Sequence, residues 1–404
     1  MKNIILIVDP FSTGKMYAKF FSDIGYQCYA VLSSQNVPQF FQDSFDAHYF
    51  ENKTLLSLED AKKLFSEENI KAVVIGAETG VFAGEFLADY FNQKGNSVKT
   101  TEFRRNKFAM QQQLKLAGLD YIKSKVISRN EHSLNELPDY TAYILKPLNS
   151  AGSENVSFCA DKTQLIQAIS QIKWGEKNIT GEENQHFLVQ EFIQGQEFVV
   201  DMVVYNQQIY PVSLCRYKKS NHNGSHFVYE HMEMLDPTDP KFSAIIEYAK
   251  QCAVALGFEF GPVHMEIMHS PQRTVMIEAG GRLHGGVAPH IFQKCYQPSL
   301  LAQAVNCYLS EPFPYPTKLV SFAKVVFMIN RLPKANLDSD QFQQRIKQLP
   351  SFSDCLISQS KDLALTIDLI SCPCFVSLVS ESAAQLDADE QALRQIFNEC
   401  CTIA

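Results

Sequence analysis

The sequence predicts a protein of mixed α/β and α+β class, in which a doubly wound parallel sheet is followed by two further domains. A chain of 404 residues exceeds what one hydrophobic core normally serves, so two or three domains are expected. Over the first hundred residues, short apolar runs alternate with helical stretches, which is typical of a parallel sheet covered on both faces. Shorter strands follow, and prolines cluster at residues 312–316. We therefore expect domains at residues 1–100, 101–311 and 312–404, the last of α+β type.

Composition restricts the classes of function. Hydrophobic residues make up 46% and charged residues 20% of the chain, which is ordinary for a soluble globular protein. The formal net charge of -8 and the lack of a basic run argue against nucleic-acid binding. No apolar run is long enough to cross a bilayer, so no membrane partner is expected. The 11 cysteines are scattered and lack zinc-type spacing, which predicts reduced thiols in a cytoplasmic protein.

The first domain is expected to present a polar residue at one edge of its sheet. Apolar runs at residues 3–8, 27–32 and 71–75 predict three strands. Glu78 follows the third run closely, and open α/β sheets bind ligands beyond the carboxyl ends of their strands. Glu78 would therefore either contact a substrate amine or cap the helix that follows it. The sequence leaves both interpretations open.

Two lysines and a small-residue loop indicate a phosphate site in the second domain. A helix is predicted over residues 101–118, with Lys107 in its first part. A strand over residues 141–148 carries Lys146 and leads into a loop of small residues, 149–155. Lysines neutralise phosphate charge, and Gly/Ser loops bind phosphate oxygens through backbone N–H groups. Taken singly, each lysine is better explained as a solvated surface residue.

A β-hairpin is predicted around Gln272. Glu266 and Glu278 are equidistant from that residue, so a turn with an odd number of residues would place the two carboxylates directly opposite each other. Like charges so placed destabilise a sheet unless a cation compensates, and Mg²⁺ is the simplest choice for oxygen ligands. Arg282 could hold an anionic phosphate beside that metal. The alternative for an isolated pair of glutamates is a solvated strand face.

In combination, the order and spacing of these residues resemble the ATP-grasp superfamily of carboxylate–amine ligases over about residues 1–310. The resemblance implies an ATP-grasp fold, with a central ATP-binding domain whose mobile lid subdomain covers about residues 125–193. It also implies that ATP is the nucleotide and that Mg²⁺, with Mn²⁺ as an alternative, is the metal. The residues that it assigns to the nucleotide are Lys107 and Lys146 for the phosphates, Ser150, Gly152 and Ser153 for the lid loop, Glu191 and Ile193 for the adenine through their backbone, and Glu197 for the ribose hydroxyls.

The predicted hairpin carries the remaining parts of this resemblance. Glu266 and Glu278 correspond to the two metal ligands, and Arg282 corresponds to the residue that steadies the transferred phosphoryl group. Arg282 and Lys146 would thus be the catalytic residues. The superfamily usually carries an asparagine where this chain has Gly280, which leaves the number of metal ions open.

Three shorter features resemble the L-amino acid ligase group, which joins amino acids into dipeptides. They are the opening at residues 9–14, the strand at residues 263–266, and the motif Glu278-x-x-x-Arg282-x-x-Gly285-Gly286. The group's reaction activates a carboxylate as an acylphosphate and joins it to an amine, with release of ADP and phosphate. The substrate-binding residues implied by this resemblance are Glu78, His264, His284 and Gly285.

Two alternatives to an amino-acid ligase remain open from the sequence. One is an ATP-grasp carboxylase or another carboxylate ligase, and the other is a catalytically silent ATP-binding regulatory protein. The complete set of lysines, glutamates and arginine argues against silence, whereas Gly280 keeps it open. The expected partners are ATP and small-molecule carboxylate and amine substrates, and a homodimer is left open. Residues 312–404 show no recognisable chemistry of their own.

Overall fold

Three parallel strands form the first sheet in the computed structural model, which describes residues 3–129, 136–150, 154–358 and 362–403. The strands are β1 (Ile4–Val8), β2 (Gln27–Val31) and β3 (Ile70–Ile75), in the order β2-β1-β3. All five residues of β1 are buried, as expected for a strand that is covered on both faces. The helices of this region are α1 (Lys15–Asp23), α2 (Gln39–Asp43), α3 (Leu58–Leu64) and α4 (Val81–Tyr90).

A capped helix leads from the first sheet to the second. The sequence predicts one helix from residue 101, but Val98–Arg104 form a 3-10 helix and the α-helix, α5 (Lys107–Leu116), begins later. The side chain of Asn106 caps α5 by accepting hydrogen bonds from the backbone N–H groups of Phe108 and Ala109. This cap places Lys107 in the first turn of α5.

The second sheet is antiparallel, and within its described residues one α-helix packs on it. Its strands are β4 (Ser124–Ser128), β5 (Tyr143–Pro147), β6 (Ser157–Cys159) and β7 (His186–Glu191), in the order β4-β7-β5-β6. Helix α6 (Lys162–Ser170) packs on this sheet, and their shared core includes Tyr143, Leu165 and Phe187. Residue ranges 130–135 and 151–153 of the predicted lid lie outside the described residues.

The third sheet has eight strands and extends across the predicted domain boundary at residue 311. Its strands include β8 (Gln196–Tyr205), β9 (Gln208–His222), β10 (Ser225–Leu235), β11 (Gly261–His269) and β12 (Thr274–Gly280). After the two-stranded pair β13 (Tyr296–Gln297) and β14 (Lys318–Leu319), the sheet resumes with β15 (Phe322–Phe327). Beyond β16 (Ala335–Leu337), which pairs with β19 (Cys401–Ile403), it is completed by β17 (Phe352–Ile357) and β18 (Cys374–Ser380).

The eight strands have the order β12-β11-β8-β9-β10-β15-β18-β17, so β15 pairs with β10 and joins the last part of the chain to the central sheet. The division of the chain into three domains stays a prediction. The remaining helices are α7 (Ser243–Ala255), α8 (Ala288–Cys295), α9 (Leu300–Leu309), α10 (Ser339–Ile346) and α11 (Ala383–Cys400).

The two faces of the eight-stranded sheet contact different partners. One face packs on α7 through a core that includes Val200, Met202 and Leu214. The opposite face packs on α8, α9 and the first sheet, through a core that includes Val199 and Cys215. Glu266 pairs directly with Val199 across β11 and β8, and directly paired residues share a face. The second face therefore carries the predicted metal ligands.

Within the parts of the chain that the structure describes, no helix combines the length and the apolar character that a membrane crossing requires.

Candidate active site

A cavity of about 390 Å³ lies where the three sheets meet. Every described residue that the sequence assigned to a site lines it, although these residues come from all three sheets and the segments between them. They are Glu78, Lys107, Lys146, Ser150, Glu191, Ile193, Glu197, His264, Glu266, Glu278, Arg282, His284 and Gly285. Gly152 and Ser153 lie outside the described residues. The fold thus brings the predicted set into one place.

The two hairpin glutamates face each other, but not for the reason that the sequence suggested. The turn contains four residues, 270–273, so the condition of an odd-numbered turn is not met. A four-residue turn alone would place Glu266 opposite Ile277. A β-bulge between Glu266 and Ile267 shifts the register by one residue, so that Ile267 pairs with Met276 and Glu266 pairs with Glu278. Bulges of this kind re-aim side chains beside functional sites.

Cations surround this carboxylate pair. The Nζ atom of Lys107 lies 3.0 Å from Oε2 of Glu278 and donates a 2.6 Å hydrogen bond to the carbonyl oxygen of Ser150. The Nε2 atom of His264 lies 3.7 Å from Oε1 of Glu266. Burial raises the pKa of Glu266, but His264 and then Lys219 outweigh it and lower the pKa to about 2. Glu266 is therefore a carboxylate at neutral pH.

Lys146 lies near the carboxyl end of β5 and is buried. Burial, followed by the positive charge of Lys107, lowers the pKa of Lys146 to about 8, although the hairpin glutamates partly oppose this shift. A lysine with such a pKa changes its charge within the physiological pH range. Lysines of this kind are common at functional sites.

A third lysine, Lys219 on β9, belongs to the site and was missed in the sequence. Its Nζ atom donates hydrogen bonds of 2.8 and 2.7 Å to the two carboxylate oxygens of Glu197 and lies 4.1 Å from the ring centroid of Tyr229. The pKa of Lys219 is raised, because the charge of Glu197 outweighs the effect of burial. A two-residue turn at 206–207 pairs β8 with β9. Recognising this hairpin in the sequence would have placed β9 beside Glu197.

Glu78 is bound by two arginines instead of capping a helix. The Nε atom of Arg282 donates a 2.7 Å hydrogen bond to Oε2 of Glu78, and Arg105 contacts Oε1. Neither helical segment that follows has a side-chain cap from Glu78. Burial raises the pKa of Glu78, but Arg282 and Arg105 outweigh it and lower the pKa to about 2. Of the two interpretations of Glu78, the capping role is therefore wrong, and the substrate-amine role stays a prediction.

The position of Glu78 explains Gly280, where the superfamily usually has asparagine. A Cβ atom added at Gly280 would lie 2.8 Å from Oε2 of Glu78, a separation that real Cβ contacts essentially never show. Because two guanidinium groups hold Glu78 in place, a side chain at residue 280 would require the Glu78 carboxylate to shift against them. Glycine at this position leaves the Glu78–Arg282 pair undisturbed.

A single buried aspartate orients both histidines of the cavity. The Nδ1 atom of His264 lies 2.9 Å from Oδ1 of Asp201, and Nδ1 of His284 lies 3.0 Å from Oδ2. Burial lowers the pKa of His264, but hydrogen bonds to Asp201 and Glu266 raise it to about 9. Burial lowers the pKa of His284, and Asp201 offsets this only in part. The shared aspartate thus favours the charged form of His264 more than that of His284. The Nε2 atom of His284 lies 3.1 Å from the hydroxyl oxygen of Tyr217.

Residues after position 311 also line the cavity, although the sequence showed no chemistry there. Phe327 of β15, Phe375 of β18 and Leu369, which precedes β18, contribute to its wall. This region therefore contributes to the wall of the cavity without chemistry of its own. Its contribution is apolar, and apolar residues far along the chain give no motif.

Comparisons with known proteins agree with this geometry. Residues 139–290 match the model of the ATP-grasp domain. The chain is 32% identical to dapdiamide A synthase from Enterobacter agglomerans over 313 residues. This aligned region covers 75% of this chain and 73% of that protein. The chain belongs to the ATP-grasp superfamily of carboxylate–amine ligases. The predicted family, enzyme class and nucleotide are thereby confirmed: this ATP-grasp ligase forms C–N bonds and uses ATP.

Solved structures confirm the predicted fold class. The L-amino acid ligase from Bacillus licheniformis superposes on this ATP-grasp ligase with a TM-score of 0.75 at 16% identity, covering 100% of this chain and 98% of that one. An ATP complex of carboxyaminoimidazole ribonucleotide synthase from Aspergillus clavatus gives a TM-score of 0.72 at 12% identity, covering 99% of both chains. At these identities the likeness concerns the fold.

Proposed function

We propose that this ATP-grasp ligase activates the carboxylate of an amino acid with ATP and joins it to the amine of a second amino acid. The observation that carries this proposal is the pair of facing carboxylates, Glu266 and Glu278, surrounded by Lys107, Lys146 and Arg282 in one cavity. The amino-acid substrates are supported by the names of two similar proteins, dapdiamide A synthase and L-amino acid ligase. The products would be an amide, ADP and phosphate.

The carboxylate pair suits a divalent metal. Two directly opposed oxygen ligands, of which Glu266 is ionised, form the donor set that Mg²⁺ or Mn²⁺ prefers, and no soft ligand is needed. Glu266 and Glu278 would hold the metal, which would supply positive charge to neutralise the phosphates. Lys107 supplies further positive charge beside Glu278, at 3.0 Å.

The nucleotide would lie between the second and third sheets. Lys107 and Lys146 neutralise its phosphates, Ser150 and the rest of its loop cover them, and Glu197 binds the ribose hydroxyls. Glu191 and Ile193 hold the adenine through their backbone. The Oε1 atom of Glu191 accepts hydrogen bonds of 3.2 and 3.1 Å from Arg273. Because its side chain is engaged there, Glu191 would contact the base through its backbone.

Phosphoryl transfer requires positioning and charge neutralisation more than covalent work by the protein. The substrate carboxylate attacks the γ-phosphorus and ADP leaves, which gives an acylphosphate. Arg282 steadies the transferred group, and its guanidinium is oriented by Glu78 through the 2.7 Å hydrogen bond. The amine then attacks the acyl carbon, and phosphate leaves with the bonding electrons of the C–O bond.

Water must be excluded while the acylphosphate exists. The described part of the loop after β5 is held by hydrogen bonds from several segments. Lys107 binds the carbonyl oxygen of Ser150, the hydroxyl of Ser150 donates a 2.7 Å bond to Glu154, and Asn178 donates a 2.6 Å bond to the carbonyl of Asn149. Opening this loop would admit the substrates and release the products.

Phosphate release from ATP, screened against pairs of amino acids, tests the proposed function. We expect release that depends on both amino acids, with an amide of matching mass in equal amount. Release with bicarbonate in place of an amino acid would identify a carboxylase. ATP binding without release in any mixture would identify a silent regulatory protein. Either of these two results would overturn the proposal.

A further inference from the structure

One face of the eight-stranded sheet changes from charged to apolar across its width. On β8, β9, β11 and β12, the cavity is lined by charged groups that include Glu197, Lys219, Glu266 and Glu278. Among the described residues, those that β10, β15 and β18 add to the cavity are all uncharged: Phe227, Tyr229, Met232, Phe327 and Phe375. The charged half suits phosphates, and the other half suits a group without charge.

The apolar half is a continuous wall. The ring centroids of Tyr229 and Phe327 are 5.5 Å apart, and those of Phe327 and Phe375 are 5.4 Å apart. Phe327 and Phe375 are directly paired on β15 and β18, and Met232 pairs with Tyr217 on β9. Leu369 and Phe375 are partly exposed, so the wall is accessible from the cavity.

This wall is separate from the place proposed for the adenine. The other apolar residues that line the cavity with Ile193 come from different strands and segments, and they are Ile122, Ile144, Phe192, Met268 and Ile277. In the sheet order, strands β8 and β9, which carry Glu197 and Lys219, lie between the wall and the strands of Met268 and Ile277.

We propose that this wall, formed by Tyr229, Met232, Phe327, Leu369 and Phe375, binds the large apolar side chain of an amino-acid substrate. The inference rests on the proposed function and specifies its substrate class. An apolar side chain gains stability from leaving water, whereas a charged one would lose hydration without an ion-pair partner on this wall. Lys219, whose Nζ atom lies 4.1 Å from the ring centroid of Tyr229 in the wall, is already paired with Glu197.

A substrate series measures the subsite directly. We expect kcat/KM for phosphate release to rise from alanine through 2-aminopentanoic acid to leucine and methionine, by about fourfold for each buried methylene. Serine, aspartate and lysine should be poor substrates. Equal kcat/KM for leucine, serine and aspartate would overturn the subsite while leaving the proposed function in place.

A pair of neighbouring variants separates the wall from its surroundings. Leu369→Asp should lower kcat/KM for leucine at least tenfold and leave the KM for ATP within twofold of the original value. Ile370→Asp is the matched control, because Ile370 is 58% exposed and is not among the residues that line the cavity. Phe375→Ala, which enlarges the subsite, should shift the preference from leucine towards phenylalanine. An unchanged leucine preference in both Leu369→Asp and Phe375→Ala would overturn the proposal.

If no amino-acid pair releases phosphate, the proposed function is overturned. The subsite is then tested by measuring the binding of an amino acid without turnover. Leucine is then titrated calorimetrically into the enzyme with a non-hydrolysable ATP analogue. Heat that is lost in Leu369→Asp but retained in Ile370→Asp supports the subsite. An absence of heat with the unsubstituted enzyme overturns it.

Discussion

The charge of Lys146 should make ATP affinity depend on pH in the alkaline range. Burial and the neighbouring Lys107 lower the pKa of Lys146 to about 8 in the protein without nucleotide. Only the protonated amine neutralises phosphate, so its contribution is present below pH 8 and is lost as the pH rises through that value. The protonated fraction falls from about 0.9 at pH 7 to about 0.09 at pH 9. We therefore expect the Kd for ATP to rise about tenfold between these two values.

Calorimetric titration with ATP at pH 7, 8 and 9 measures this change, and phosphate is largely ionised throughout that range. Lys146→Arg should abolish the pH dependence, because a guanidinium stays protonated. Lys146→Met should weaken ATP binding about 10- to 100-fold at pH 7, since one charge-assisted hydrogen bond is lost, and should cost less at pH 9, where the amine of the unsubstituted enzyme is mostly deprotonated. Lys71→Met is the control, because Lys71 is exposed on β3 and is not among the cavity-lining residues. A Kd that stays constant from pH 7 to 9 in the unsubstituted enzyme would refute the reasoning.

Three further predictions concern the carboxylates of the cavity. Glu278→Ala should abolish phosphate release at saturating Mg²⁺ while the unfolding curve stays unchanged, because Glu266 alone cannot hold a bridging metal. Gly280→Asn should lower kcat at least tenfold by displacing Glu78 from Arg282. Adding Glu78→Ala to this variant should lower kcat little further, and a double-mutant cycle of kcat measures this coupling. Lys219→Met should lower the free energy of unfolding by about 3–5 kcal/mol in urea titrations, because it leaves the buried carboxylate of Glu197 unpaired.

Each of these predictions has a control or a result that contradicts it. Glu259 is exposed and is not among the cavity-lining residues, so the control Glu259→Ala should leave phosphate release intact. Normal phosphate release by Glu278→Ala would exclude Glu278 as a metal ligand. Independent, additive losses in the cycle would mean that Gly280 and Glu78 do not compete for space. Lys218 is the exposed neighbour of Lys219, and Lys218→Met should change stability by less than about 1 kcal/mol. Equal losses in the two lysine variants would contradict the burial argument.

Local patterns in the sequence were sufficient for the strands of the first sheet and for the order of the site residues. The continuous apolar runs predicted β1, β2 and β3 within a few residues, because a strand buried on both faces has no polar face to interrupt the run. The spacing of Lys107, Lys146 and the hairpin glutamates was enough to identify the ATP-grasp superfamily. These features depend on residues that are close together or regularly spaced in the chain.

Register and contacts between distant segments depended on the tertiary structure. The facing of Glu266 and Glu278 requires a bulge, and a single extra residue in one strand leaves no reliable trace in composition. The ion pair of Glu78 with Arg282 joins residues 204 positions apart, and it places the Glu78 carboxylate against the glycine at position 280.

The sequence by itself therefore determined the superfamily, the nucleotide and most of the charged residues that line the cavity. The tertiary structure alone decided what else belongs to this region: Lys219 beside Glu197, Asp201 between two histidines, and an apolar wall to which the last ninety residues contribute. The physical reason is that phosphate chemistry requires particular charged residues at regular spacings, which form a recognisable motif. An apolar surface can be assembled from many side chains at unrelated positions, so only their packing together in space shows that they form a site.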